Sequence, residues 1–283
     1  MKIPPAPEKA PPASTAVHLE RDRSFLLFAG AVLMAIALAF KSELLGEGQV
    51  WVLALGMVVV AAPALLGYLR GTEEFPRIEH YIPVALGAIT LAGLAGGRDS
   101  AGHPIVAELW KYGLITAVFG AGFMLSARLD YLRLRGAEKR GHMMLQEAIL
   151  ILVLAGAYLV VVTIPFNILL KLLWIFTITF LASYRSFRIN GPAIAPRRAF
   201  IFALFVGQVV MFLAWAILTL SMQLYLNLNE GTFAVMLLFA WYINRGLVRH
   251  TVEDSFTRNV VVEYGAFAAF LIFLFVSSYQ PGR

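Results

Sequence analysis

Residues 147–184 read EAILILVLAGAYLVVVTIPFNILLKLLWIFTITFLASY, an apolar stretch with two charged side chains, Glu147 and Lys171. As one continuous helix it would rise about 57 Å, nearly twice the ~30 Å hydrocarbon thickness of a bilayer. Pro165, followed by Phe166 and Asn167, breaks it into two runs, 147–164 and 166–184, each long enough to cross. The pattern is two membrane helices joined by a short turn.

Working outward, further apolar segments occupy 24–40, 50–69, 81–97, 105–127, 199–224, 232–246 and 259–278, making nine with the first pair. The chain of 283 residues is 60% hydrophobic and 14% charged, with mean hydropathy +0.76, too little charge for an ordinary water-facing surface. Backbone polar groups in hydrocarbon need internal partners, and the alternation of a barrel strand is nowhere sustained. The sequence therefore predicts an all-α, polytopic membrane helical bundle of about nine transmembrane helices. Its domain spans 24–278, with no room for a sizeable extramembrane domain.

The segment 81–97 is short for a crossing, and the cations arbitrate. With nine crossings and the amino terminus in the cytoplasm, eighteen of the 23 Lys and Arg fall on the inner side and three on the outer, with Lys111 and Lys171 inside spans. Demoting 81–97 to a re-entrant loop reduces the split to thirteen against eight. The excess of cations in cytoplasmic loops favours the crossing and puts the carboxyl terminus outside, as in a bacterial cytoplasmic membrane protein. Aromatic residues agree: Trp51, Trp110, Tyr225 and Tyr279 fall near the outer boundary, and Tyr68, Tyr81, Tyr184, Tyr242 and Tyr264 near the inner one. Short external turns then group the spans into four hairpins and a lone ninth helix.

Residues 1–23 carry Pro4, Pro5, Pro7, Pro11 and Pro12 with little to bury, and read as a disordered cytoplasmic tail. Ala37 and Ala39 form an A-x-A site, but the charged region before it is long for a signal peptide, so an uncleaved first span is preferred. Residues 279–283 form a short external tail. Small residues recur four apart at Ala88, Ala92 and Gly96, at Gly113, Ala117 and Ala121, and at Gly265 and Ala269. Such stripes let membrane helices approach closely, and they pair the third span with the fourth.

Much chemistry is excluded. The absence of cysteine removes disulfides, thiolate nucleophiles and cysteine-ligated metals. His18, His80, His103, His142 and His250 all lie outside the apolar cores, which argues against haem within the membrane. No H-E-x-x-H, G-x-S-x-G or P-loop pattern occurs, and no metal or cofactor is expected. Net charge +6 and pI about 9.6 reflect orientation signals rather than nucleic-acid binding, because no basic run sits on a soluble module.

Ionisable residues within spans are costly and mark candidate sites. Glu108, Lys111 and Lys171 lie in the outer third, where two lysines and a carboxylate would form an anion pocket if the fourth and sixth spans are neighbours; otherwise Glu108 and Lys111 pair with each other. Glu263, one turn into the ninth span, is a candidate proton carrier that could also meet Arg245 or Arg258. His250, oriented by Asp254, is a candidate general base. Arg185, Arg188, Arg245 and Arg249 are candidate contacts to anionic lipid headgroups.

These features rank three functions. A non-catalytic protein that handles lipid or lipid-linked material, or that serves as the membrane subunit of a larger assembly, fits the low polar density best. A secondary transporter, with Glu263 or Glu108 carrying protons, comes second, because the midplanes are nearly bare of charge. A membrane enzyme at the cytoplasmic headgroup layer comes third.

Overall fold

The computed structural model describes residues 29–38, 40–41, 50–69, 77–98, 101–134, 140–189, 194–223 and 228–278. The proline-rich tail, the 279–283 tail, Ala39, Arg135, Tyr225 and the side chains of Trp51 and Tyr68 lie outside the described residues. The helices are α1 (Ala29–Leu38), α2 (Val50–Leu69), α3 (Ile82–Gly96), α4 (Leu109–Leu134), α5 (Arg140–Thr163), α6 (Ile168–Ile189), α7 (Pro196–Gln223), α8 (Glu230–Val252) and α9 (Arg258–Ser277), with a 3-10 turn at Ile78–His80 before α3. Extended pairing among the described residues is confined to one bridge between Arg98 and Pro104. The protein is an all-helical bundle, and among the described residues seven helices are long and apolar enough to cross a membrane.

Local chemistry sets the boundaries. The break at Pro165 ends α5 at Thr163, and Asn167 begins α6 by accepting the Leu170 N–H on its side-chain oxygen at 2.8 Å. Asn229 caps α8 in the same way, accepting from the Thr232 N–H at 2.6 Å. Helices α4 and α5 run about two turns beyond their apolar windows, to Leu134 and from Arg140. Asp130 and Gln146 therefore stand on helices rather than in a loop.

Contacts between helix ends show that α3 to α9 alternate in direction. Tyr112, near the start of α4, donates to the Leu91 carbonyl near the end of α3 at 3.0 Å. Lys171, near the start of α6, donates to the Val162 carbonyl near the end of α5 at 2.8 Å. At the other end the start of α3 meets the ends of α4 and α6, and the start of α5 meets the end of α8. The cations gather at this second end, here termed the basic end.

Helix α3 is central. Of an 18-residue apolar window in α3 and its leading 3-10 turn 78% is buried, against 6% for α9, and α3 packs on α2, α4, α5 and α6. A short helix is tolerated there because protein, not lipid, surrounds its ends. The expected contact of α3 with α4 is present, but those with α2 and α5 are more extensive. The most extensive pairing is α6 with α7, joined at the basic end rather than by an opposite-end turn. Ala199, Ala203, Val206, Val210 and Ala214 are fully buried along α7, and a methyl added at Gly207 would stand 3.1 Å from the Phe176 ring. This small-residue seam brings the two backbones together, whereas Gly265 on α9 faces open space.

Candidate functional site

A buried ionic layer joins four elements at the basic end. Asp130 on α4 is 1% exposed and receives the Arg185 guanidinium of α6 at 3.2 and 3.3 Å and the Gln146 side-chain amide of α5 at 2.7 Å. Arg185 also donates to the Glu79 carbonyl at 2.6 Å and to the Ser126 hydroxyl at 3.1 Å. Arg188 pairs with the Glu79 carboxylate at 3.1 Å and donates to the Ile194 carbonyl at 2.7 Å. The layer thus holds two buried carboxylates, Glu79 and Asp130, against two buried guanidinium groups. His80 Nδ1 stands 3.1 Å from Asp130 Oδ2 but is not aligned for a hydrogen bond.

A second polar group continues the layer from the adjacent residue of α5. Glu147 accepts a hydrogen bond from Arg245 of α8, whose guanidinium lies 5.5 Å from the Trp241 ring centre. The Trp241 indole donates to the Ser183 hydroxyl at 3.0 Å, tying α8 to α6. Arg245 Nε and Nη2 are buried without partners.

On the membrane side of the ionic layer lies an apolar cavity of about 330 Å³ between α1, α2, α3, α4 and α5. That volume falls at the lower end of the ~300–1,000 Å³ usual for small-molecule sites. Its wall includes Gly30, Gly87, Phe119, Gly120, Met124 and Ile149, and the Thr116 hydroxyl at its edge is satisfied internally by the Tyr112 carbonyl at 2.8 Å. A methyl at Gly120 would meet nothing within 4 Å, so the missing side chain there is part of the empty space. Ala117 and Ala121, from the small-residue stripe of α4, line the same space and open room instead of closing a helix seam.

The residues singled out from sequence are placed as follows. Glu108 and Lys111 pair at 2.8 Å and are about half exposed. Lys171 is bonded to Val162 and lies within electrostatic range of Glu230, so the structure does not bring it to Glu108 and Lys111. Glu263 is exposed and accepts the Tyr242 hydroxyl at 3.3 Å, not Arg245 or Arg258. His250 Nδ1 meets the Ser255 hydroxyl at 2.8 Å rather than Asp254, which turns at a φ of 49°. Arg185, Arg188 and Arg245 point into the bundle, because a carboxylate awaits each of them, buried for Arg185 and Arg188 and partly exposed for Arg245; Arg249 is partly exposed and pairs with Glu253 at 2.7 Å. Sequence reasoning missed Glu79, Asp130 and Gln146. The signal available was two carboxylates and two arginines at matching depth on adjoining span margins.

No family model matches the chain, and neither a curated protein nor a solved structure is significantly similar to it. Function is therefore argued from the cavity and the groups around it.

Proposed function

We propose that the protein is a non-catalytic lipid-handling membrane protein that holds the apolar chain of a lipid in the cavity between α1 and α5. The observation that carries this reading is the size and lining of the cavity. The space of about 330 Å³ is half-open and bounded almost wholly by apolar side chains and glycines, a surface that hydrocarbon covers favourably. An apolar space of this kind excludes water and accepts hydrocarbon. The surrounding bilayer supplies hydrocarbon chains at high concentration.

Solute transport is supported less well. Several hydroxyls deep in the spans are satisfied inside the bundle: Thr90 donates to the Leu86 carbonyl, Tyr112 to Leu91, and Tyr158 and Thr179 share a bond at 2.6 Å. None of these is left to bind a polar solute.

The test is the lipid content of purified protein. Gly120 lines the cavity and a Cβ there meets nothing within 4 Å, so Gly120→Leu is expected to occupy part of the space and to remove a stoichiometric lipid detected by mass spectrometry. Retention of the same lipid by the Gly120→Leu protein would refute the assignment.

A further inference from the structure

The cavity is closed at both ends and open at one side. Two of its lining residues, Ala61 and Val84, belong to a packed cluster with Leu65, Leu69, Ala127 and Tyr131 that fills the bundle toward the basic end. Met57, Ala88 and Leu91 belong to a second cluster, with Leu94, Tyr112 and Val160, that fills it toward the opposite end. Of the lining residues, those that are exposed are Ala31 and Met34 on α1 and Ala117 and Ala121 on α4. The mouth therefore lies between these two helices.

Helices α1 and α4 approach each other at two levels. Leu38 Cδ2 lies 3.7 Å from where a Cβ on Gly113 would stand, and the end of the Met124 side chain rests against Gly30. From Gly30 to Leu38 the axis rises about 12 Å, and over that interval α4 offers Ala117, Gly120 and Ala121, which are too small to close the gap. Met34 and Met124, unbranched and adaptable, edge the opening. The mouth also faces hydrocarbon: Leu114 and Val118 beside it on α4 are 60% and 46% exposed. The nearest charged residues along α4 are Lys111 and Arg128, about 9 Å before Ala117 and about 10 Å beyond Ala121. No charged side chain lines the cavity itself.

We infer that a bilayer lipid enters the cavity sideways, through a window between α1 and α4, and that the site selects its hydrocarbon chain and is indifferent to its head group. This rests on the lipid-binding reading of the cavity and adds the route and the class of ligand. A chain can pass at mid-depth without leaving hydrocarbon. The head stays at the bilayer surface, a helical turn or more from any lining residue, so no group in the cavity can read it.

The chain has no cysteine, so a pair introduced across the window reports on it alone. Purified full-length protein carrying Ala31→Cys and Ala121→Cys is bridged with a short bismaleimide before or after loading with dioleoylphosphatidylcholine, and bound lipid is followed by native mass spectrometry. Bridging first is expected to block uptake, and bridging after loading to trap the lipid against exchange, while the unbridged protein takes it up and releases it. Met34→Cys with Ala117→Cys serves if the first pair does not fold. In the unaltered protein, dioleoylglycerol, dioleoylphosphatidylcholine and dioleoylphosphatidylglycerol should bind within about threefold of one another, and dihexanoylphosphatidylcholine at least about tenfold more weakly, because its chains leave the cavity unfilled. Diphytanoylphosphatidylcholine binding more tightly than the dioleoyl lipid would identify a branched, isoprenoid-type chain, and weaker binding a straight one; both support selection by the chain. Uptake and release unchanged by bridging, or no bridge from either pair, would overturn the window. Head groups that separate affinities more than chains do would overturn the selection. Either result, with lipid still lost in Gly120→Leu, leaves the cavity reading intact. Binding of no lipid, or binding indifferent to Gly120→Leu, would overturn the cavity reading itself.

Discussion

Arg185 of α6 and Asp130 of α4 form a salt bridge of 3.2 Å with both side chains almost wholly enclosed, 3% and 1% exposed. Fifty-five residues apart in sequence, they pin the ends of two helices that otherwise make little contact. A buried pair contributes little net stability over an apolar replacement, but removing one member leaves a stranded charge.

Asp130→Ala is therefore expected to destabilise the protein by about 3–5 kcal/mol. Asp130→Leu combined with Arg185→Met should recover most of that loss. Thermal unfolding in one detergent, followed by size-exclusion chromatography, measures both. A double variant no better than Asp130→Ala would show that the pair does not act as a unit.

Close helix approach depends on particular glycines. A methyl at Gly93 would stand 2.1 Å from Val160 Cγ1, so Gly93→Ala should cost about 1–3 kcal/mol, and Val160→Ala in the same chain should relieve part of it. Gly265→Ala on α9 meets nothing and should stabilise by about 0.5–1 kcal/mol through helix propensity. Equal effects at the two sites in a melting series would contradict the packing described for α3 against α5.

Filling the cavity should separate stability from ligand retention. Gly120→Leu is expected to raise the melting temperature of delipidated protein, since it adds apolar contacts in an empty space, while lowering the gain in melting temperature on adding lipid. A lipid-dependent gain unchanged from the parent would place the binding elsewhere.

The exposed Glu108 and Lys111 pair sets a pH expectation. The hydrogen bond from Lys111 holds the Glu108 carboxyl below its ordinary value of 4.5. A depressed carboxylate contributes stability that is present above its unfolded value and is lost as pH falls through the folded one. Any advantage of the parent over Glu108→Gln at pH 7 should be small, because solvent screens the pair, and should vanish on acidification below the carboxylate range. An advantage that grows in acid would be inconsistent with this pairing.

The helices were legible because twenty apolar residues in succession have few alternatives, and the Pro165 break follows from one ring and one capping asparagine. The ionic layer was not. Windows of hydropathy end where charges begin, so Asp130 and Gln146 fell just outside the spans although α4 and α5 continue through them. Counting Arg185 and Arg188 as orientation signals obscured that each has a buried carboxylate partner at its own depth. The cavity depends on how five helices are rotated about their axes, and glycines at 30, 87 and 120 hint at space without saying which neighbours share it.

The central claim is that a lipid chain occupies the space between α1 and α5, and photolabelling in native membranes tests it most directly. A lipid carrying a diazirine in mid-chain should label peptides containing Phe119, Met124 and Ile149, and Gly120→Leu should abolish that labelling. Label confined to outward faces, such as Val262 and Phe273 of α9, would contradict the claim.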